Sequence, residues 1–174
     1  MALVPTLQRD AKQLEYLFNR LFAEELNTHL MGGAEEPVYL PADADHRHHR
    51  LFYREDYFAS ALHEIAHWCV AGAARRQQVD FGYWYAPDGR SPQQQAAFEM
   101  AEVKPQALEW IFTEAAGCRF EFSADNLDAG LGASRSFIDA VSRQRQIYLE
   151  AGLPDRAERW RSVLLHHFAA AQIS

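Results

Sequence analysis

Apolar residues return every three or four positions along most of this chain, and that period predicts helices. Between residues 6 and 30, Leu14, Leu17, Phe18, Leu21, Phe22, Leu26 and Leu30 recur at helical spacing. One long amphipathic helix is expected there, stopped by Gly32 and Gly33. The stretch 58–71 differs: Leu62, Ile65, Ala66, Cys69 and Val70 leave almost no polar face. A helix of that kind is buried on nearly all sides. Asp56 stands where it can cap this helix and Gly72 where it can end it.

Ser91-Pro92 is a good helix start, a cap followed by proline in the first turn. That helix carries Phe98 to Val103 as far as Lys104-Pro105, where the proline ring ends or kinks it. A further helical stretch runs over 106–116, and two more, 134–151 and 155–169, close the chain. Period-two or β-rich runs predict short strands at 38–40, 51–53, 79–85 and 120–122. Pro87-Asp88-Gly89-Arg90 reads as a turn and 125–132 as a turn-rich loop. The fold class expected is α+β and mostly helical, a buried helix packed on further helices beside a small β-sheet. At 174 residues the chain suits one domain, 1–174.

Inside the buried stretch lies the motif His63-Glu64-Ile65-Ala66-His67. Residues four apart share a helix face, so both imidazoles aim at one point, with Glu64 beside it. Unpaired, such groups in an apolar setting each cost on the order of a few kcal/mol. A divalent metal removes that cost, so His63 and His67 are candidate ligands.

A catalytic site needs a third protein ligand, and Glu99 and Glu102 lie on a helix able to cross the first. Glu102 is the preferred ligand, because Pro105 three residues on fixes where its side chain points. Glu99 is then expected to support one histidine through a hydrogen bond. Two histidines and a glutamate fit zinc hydrolases and also non-haem iron(II) oxygenases. With zinc, Glu64 becomes the base that activates water in a metallopeptidase; with iron, it orients the site or relays protons. The metzincin extension fails at Val70 and Ala73, and no His-x-Asp pattern supports a jelly-roll oxygenase.

Charge and composition narrow the setting. The net charge of −7 gives no general reason to meet nucleic acid or an anionic membrane. No apolar run spans a bilayer, no secretory signal opens the chain, and Cys69 and Cys118 suggest no disulfide framework. A cytoplasmic location is expected. The segment 43–50, rich in histidine and arginine, reads as a solvated loop. Asp80, Tyr83, Trp84, Tyr85 and Asp88 read either as core or as a pocket for a cationic substrate, with carboxylates and ring faces to meet ammonium groups.

Several of these stretches together resemble the bacterial elongation factor P hydroxylases. The likeness rests on Glu36-Pro37-Val38-Tyr39-Leu40-Pro41-Ala42-Asp43, on 57–72 around the two histidines, and on Ala74-Arg75-Arg76 leading into Val79-Asp80-Phe81-Gly82-Tyr83-Trp84-Tyr85-Ala86-Pro87-Asp88-Gly89-Arg90. It continues through Glu102-Val103-Lys104-Pro105-Gln106-Ala107-Leu108-Glu109-Trp110. The resemblance implies a mostly helical enzyme whose non-haem iron(II) is held by His63, His67 and a glutamate, Glu102 by position. It implies dioxygen as oxidant, and as substrate the lysine of elongation factor P already extended with β-lysine. That polycationic side chain suits Asp80, Asp88 and Glu99 with Tyr83 and Tyr85, and Arg75 and Arg76 are placed to touch the partner protein.

Overall fold

The computed structural model describes residues 9–80, 90–122 and 133–170. Asp10 starts α1 (Ala11–Leu26), accepting the Lys12 N–H at 2.9 Å while Gln13 reaches back to the Asp10 N–H. This reciprocal cap satisfies donors that the first helical turn leaves free. The helix ends at Asn27, in the left-handed region with φ 49°. Residues Thr28–Ala34 then form β1, not the last turn of the helix that the leucine spacing predicts.

The reason is a partner distant in sequence. β1 pairs in parallel with β3 (His49–Arg54), from Thr28 opposite His49 to Met31 opposite Phe52. Those backbone groups are satisfied by the sheet, a choice local periodicity cannot see. Gly32 accordingly stops no helix. A Cβ there would come within 2.6 Å of the Tyr53 ring, so glycine allows the close approach. β2 (Val38–Leu40) lies antiparallel on the other side of β3, giving the order β1-β3-β2.

α2 (Phe58–Val70) carries the two histidines through the centre of the core. Ala61, Leu62, Ile65, Ala66, Trp68 and Cys69 are buried on it. Trp68 meets Phe18 and Phe22 edge-on, each with ring centroids 5.0 Å apart. Burying each large apolar side chain contributes about 1.5–3 kcal/mol. Asp56 makes no cap; Tyr57 occupies the N-cap with no side-chain bond. The helix stops at Val70, ahead of Gly72, where the Ala71 N–H closes on the His67 carbonyl at 2.9 Å.

α3 (Pro92–Ala115) is capped by Ser91 and Gln94 as the sequence suggests, and it runs unbroken through Pro105. Packing against α2 and against α4 (Arg135–Ala151) holds its two halves in line. α5 (Asp155–Ala170) completes a mostly helical α+β fold among the described residues. Residues 120–122 are not a strand: Phe120 stacks on Trp110 at 5.2 Å and Phe122 meets both rings edge-on. Of the strand expected at 79–85, Asp80 forms an antiparallel bridge to Tyr39. Tyr83, Trp84, Tyr85, Asp88 and the loop 125–132 lie outside the described residues. No helix among the described residues is long and apolar enough to cross a membrane.

Candidate metal centre

α2 and α3 cross so that four ionisable side chains meet. On α2, one helical turn puts His63 and His67 side by side, with Nε2 atoms 3.1 Å apart. From α3, Glu102 Oε1 lies 2.8 Å from His67 Nε2, and Glu102 Oε2 lies 3.5 Å from His63 Nε2. One ligand atom from each of the three residues falls within 4.8 Å of the others, a group that could hold a metal ion. Ligands about 2.1 Å from one cation stand about 3.0 Å apart at right angles and about 3.4 Å apart at tetrahedral angles. The observed separations bracket both values, and nitrogen with oxygen donors suits zinc or iron(II).

Glu102 is only 2 % exposed and Glu109 5 %, both in the core. Glu109 Oε2 lies 2.7 Å from His63 Nδ1. A carboxylate only accepts, so Nδ1 carries a proton, and in the neutral ring Nε2, on the side of Glu102 and His67, keeps its lone pair. Gln106 donates to Glu102 Oε2 at 3.2 Å, which further fixes that carboxylate.

The charges in this cluster act on one another strongly. Burial by itself would raise the Glu102 pKa, but His67 and His63 overrule it and hold the carboxyl low. Burial opposes protonation of His63 and of His67, yet the glutamates beside them raise both. Glu64 moves the other way: burial raises its pKa, with the histidines only partly countering. Groups so perturbed, gathered at one place, make this cluster the candidate functional site.

A cavity of about 170 Å³ opens beside this cluster, with His67, Glu64, Tyr39, Asp80, Ala101 and Pro105 in its walls. Pro105 has no N–H, so the Ala101 carbonyl lacks its usual helical donor. Both residues line the cavity, Ala101 next to Glu102 in sequence and Pro105 about one turn of α3 beyond it. Asp80 is paired with the Arg75 guanidinium at the rim.

The elongation factor P hydroxylase family matches residues 17–174. The chain is also 51 % identical, over 153 residues, to the elongation factor P lysine hydroxylase of Haemophilus influenzae (strain ATCC 51907 / DSM 11121 / KW20 / Rd). That alignment covers 88 % of this chain and 86 % of the relative. The chain belongs to the elongation factor P hydroxylase family.

For this hydroxylase-family chain, the sequence-predicted residues fall into three groups. His63, Glu64, His67 and Glu102 come together, and Asp80 joins them across the cavity. Tyr83, Tyr85 and Asp88 lie outside the described residues. Glu99 does not support a histidine. Its carboxylate accepts from the Ser134 hydroxyl at 2.8 Å and the Ser134 N–H at 3.4 Å, at the start of α4. One turn before Glu102, Glu99 is captured instead by Ser134 at the start of α4.

The histidine-supporting carboxylate is Glu109, which the sequence reading passed over. Its signal was the spacing to Glu102, two turns along one helix face. Spacing alone leaves open whether Pro105 breaks the helix, and with it whether that register holds.

Proposed function

We propose that this protein hydroxylates the lysine of elongation factor P that already carries a β-lysyl extension. It does so in the cytoplasm, with 1–174 acting as one catalytic domain. The reading assigns His63, His67 and Glu102 as ligands of a non-haem iron(II). When bound, the metal supplies the activation of dioxygen that a C–H hydroxylation needs. Glu109 holds His63 in the tautomer that leaves Nε2 free, and Gln106 steadies Glu102. Glu64, its pKa raised by burial, lies beside the cavity, where its carboxyl is placed to deliver or take a proton.

The substrate side chain is long and cationic, and the cavity offers it acceptors. Ala101, whose carbonyl Pro105 leaves without its helical donor, and Asp80 both line the space next to His67. Tyr83, Tyr85 and Asp88 complete this pocket in the proposal, through π faces and one more negative charge.

The observation that carries the reading is the meeting of His63, His67 and Glu102 within 4.8 Å at a cavity able to admit a side chain. The deciding experiment is whole-protein mass measurement of β-lysylated elongation factor P after incubation with iron-loaded protein. The expected result is a gain of one oxygen atom. Fragments in its place would assign the zinc peptidase chemistry that the same ligands permit, and an unchanged mass would overturn the proposal.

A further inference from the structure

A second, more polar pocket of about 180 Å³ lies beside the cavity, and Arg76 belongs to the walls of both. Its polar lining comes from Thr28, His49, Arg76, Gln77 and Arg156. Three of these carry or can carry positive charge, and they come from three places in the fold: β3, the turn after α2, and the start of α5.

Among the described residues, neither Arg76 nor Arg156 forms an ion pair. Arg76 donates to the Ala71 carbonyl at the end of α2. The Arg156 guanidinium lies 4.4 Å over the Trp68 ring, and its Nη1 is buried without a hydrogen-bond partner among the described residues. A buried charged donor lacking an acceptor is costly, and proteins rarely keep one without use. His49 adds a donor of fixed identity. Its Nδ1 accepts the Ala42 N–H at 2.9 Å, so the ring hydrogen sits on Nε2.

The electrostatics agree with this geometry. Burial first, and then the charge of Arg76, lower the pKa of both His49 and Arg156. Asp155 opposes this at Arg156 only as the smallest contribution. The two guanidinium groups thus share a polar space whose lining, among the described residues, includes no acidic side chain. A planar guanidinium fork and an imidazole N–H are the donors that recognise oxyanions.

We infer that His49, Arg76 and Arg156 form an oxyanion-binding pocket next to the reaction cavity, taking one carboxylate or phosphate group. That group comes either on a free small acid or on an acidic side chain of the docked protein substrate. The pocket stands on its own residues, whatever reaction the neighbouring site performs.

Titration calorimetry of the full chain with inorganic phosphate, at an ionic strength fixed with chloride, tests this. One saturable site per chain is expected, with Kd at least tenfold weaker in Arg156→Gln and in Arg76→Gln. Because Arg156 also covers Trp68, a measurement on the unaltered chain accompanies the variants. The His49 ring signals in a nitrogen NMR spectrum should shift on the same phosphate curve. Heats that do not saturate, ring signals that do not move, or an unchanged Kd in both folded variants would overturn the pocket. Phosphate that weakens binding of elongation factor P supports the pocket with the anion on that partner. Binding of the partner unaffected by phosphate supports it with a free acid as the occupant.

Discussion

Glu109 Oε2 and His63 Nδ1 lie 2.7 Å apart, although the residues are 46 positions apart in sequence. The contact fixes which imidazole nitrogen is free, and a ligand orientation set this way is typically worth 10–100-fold in metal affinity. Glu109→Ala is therefore expected to weaken metal binding by about that factor, measured by competition with a chelator of known affinity. Glu109→Gln should recover part of the loss, because an amide oxygen still accepts from Nδ1–H. Equal affinity in all three proteins would remove Glu109 from the site.

His63→Ala and His67→Ala each take one of three donors from the cluster. Both are expected to lose stoichiometric metal and to abolish the one-oxygen mass gain on β-lysylated elongation factor P. Full hydroxylation by either variant would show that the ligands lie elsewhere.

Pro105→Ala gives residue 105 an N–H and returns to the Ala101 carbonyl its helical partner. Stability is expected to rise by about 1–3 kcal/mol, since alanine is favoured over proline in a helix interior. The same change engages the carbonyl of Ala101, a residue that lines the cavity. If that carbonyl meets a substrate ammonium, KM rises about tenfold, the effect of one hydrogen bond to a charge. Metal content should not change. A stabilised variant with unaltered KM would exclude the carbonyl from substrate binding.

Asp80→Asn keeps the backbone bridge to Tyr39 and removes only the charge. Turnover of the cationic substrate is expected to fall while metal content holds, with the loss mainly in KM. Unchanged steady-state kinetics would take Asp80 out of the pocket, leaving it to its ion pair with Arg75.

Acidity acts on the cluster with a definite sign. In the metal-free chain His63 and His67 have raised pKa values, so their ion pairs stabilise fully below about 6.5 and are lost as pH rises through the folded values. Glu102, held low, contributes above its ordinary carboxylate range and loses that contribution only as pH falls through its depressed folded value. A metal needs both imidazoles unprotonated, so it competes with those protons. The gain in melting temperature on adding metal should therefore increase from pH 6 to pH 8. Apparent affinity should climb by up to about tenfold per pH unit for each proton displaced. A gain independent of pH would mean that no proton leaves these histidines when metal binds.

The juxtaposition of His63 and His67 was legible in the chain itself, because they are one turn apart and helix geometry alone makes them neighbours. The last two helices and the Ser91 cap were equally local, each set by flanking Ser, Pro and Gly. Glu102 is the glutamate that meets the histidines, as expected, but not through a kink at Pro105, because α3 runs unbroken there.

What the sequence could not determine were choices between partners far apart in the chain. Residues 28–31 suit a helix by spacing, but pairing with β3 makes them a strand. Glu99 and Glu102 are alike by composition, yet Ser134 at the start of α4 claims one and α2 receives the other. Glu109 reaches His63 only because α3 continues straight through Pro105. Local spacing decides which side chains share a face. Which buried partner that face meets is decided when two helices pack and every polar group inside must find its counterpart.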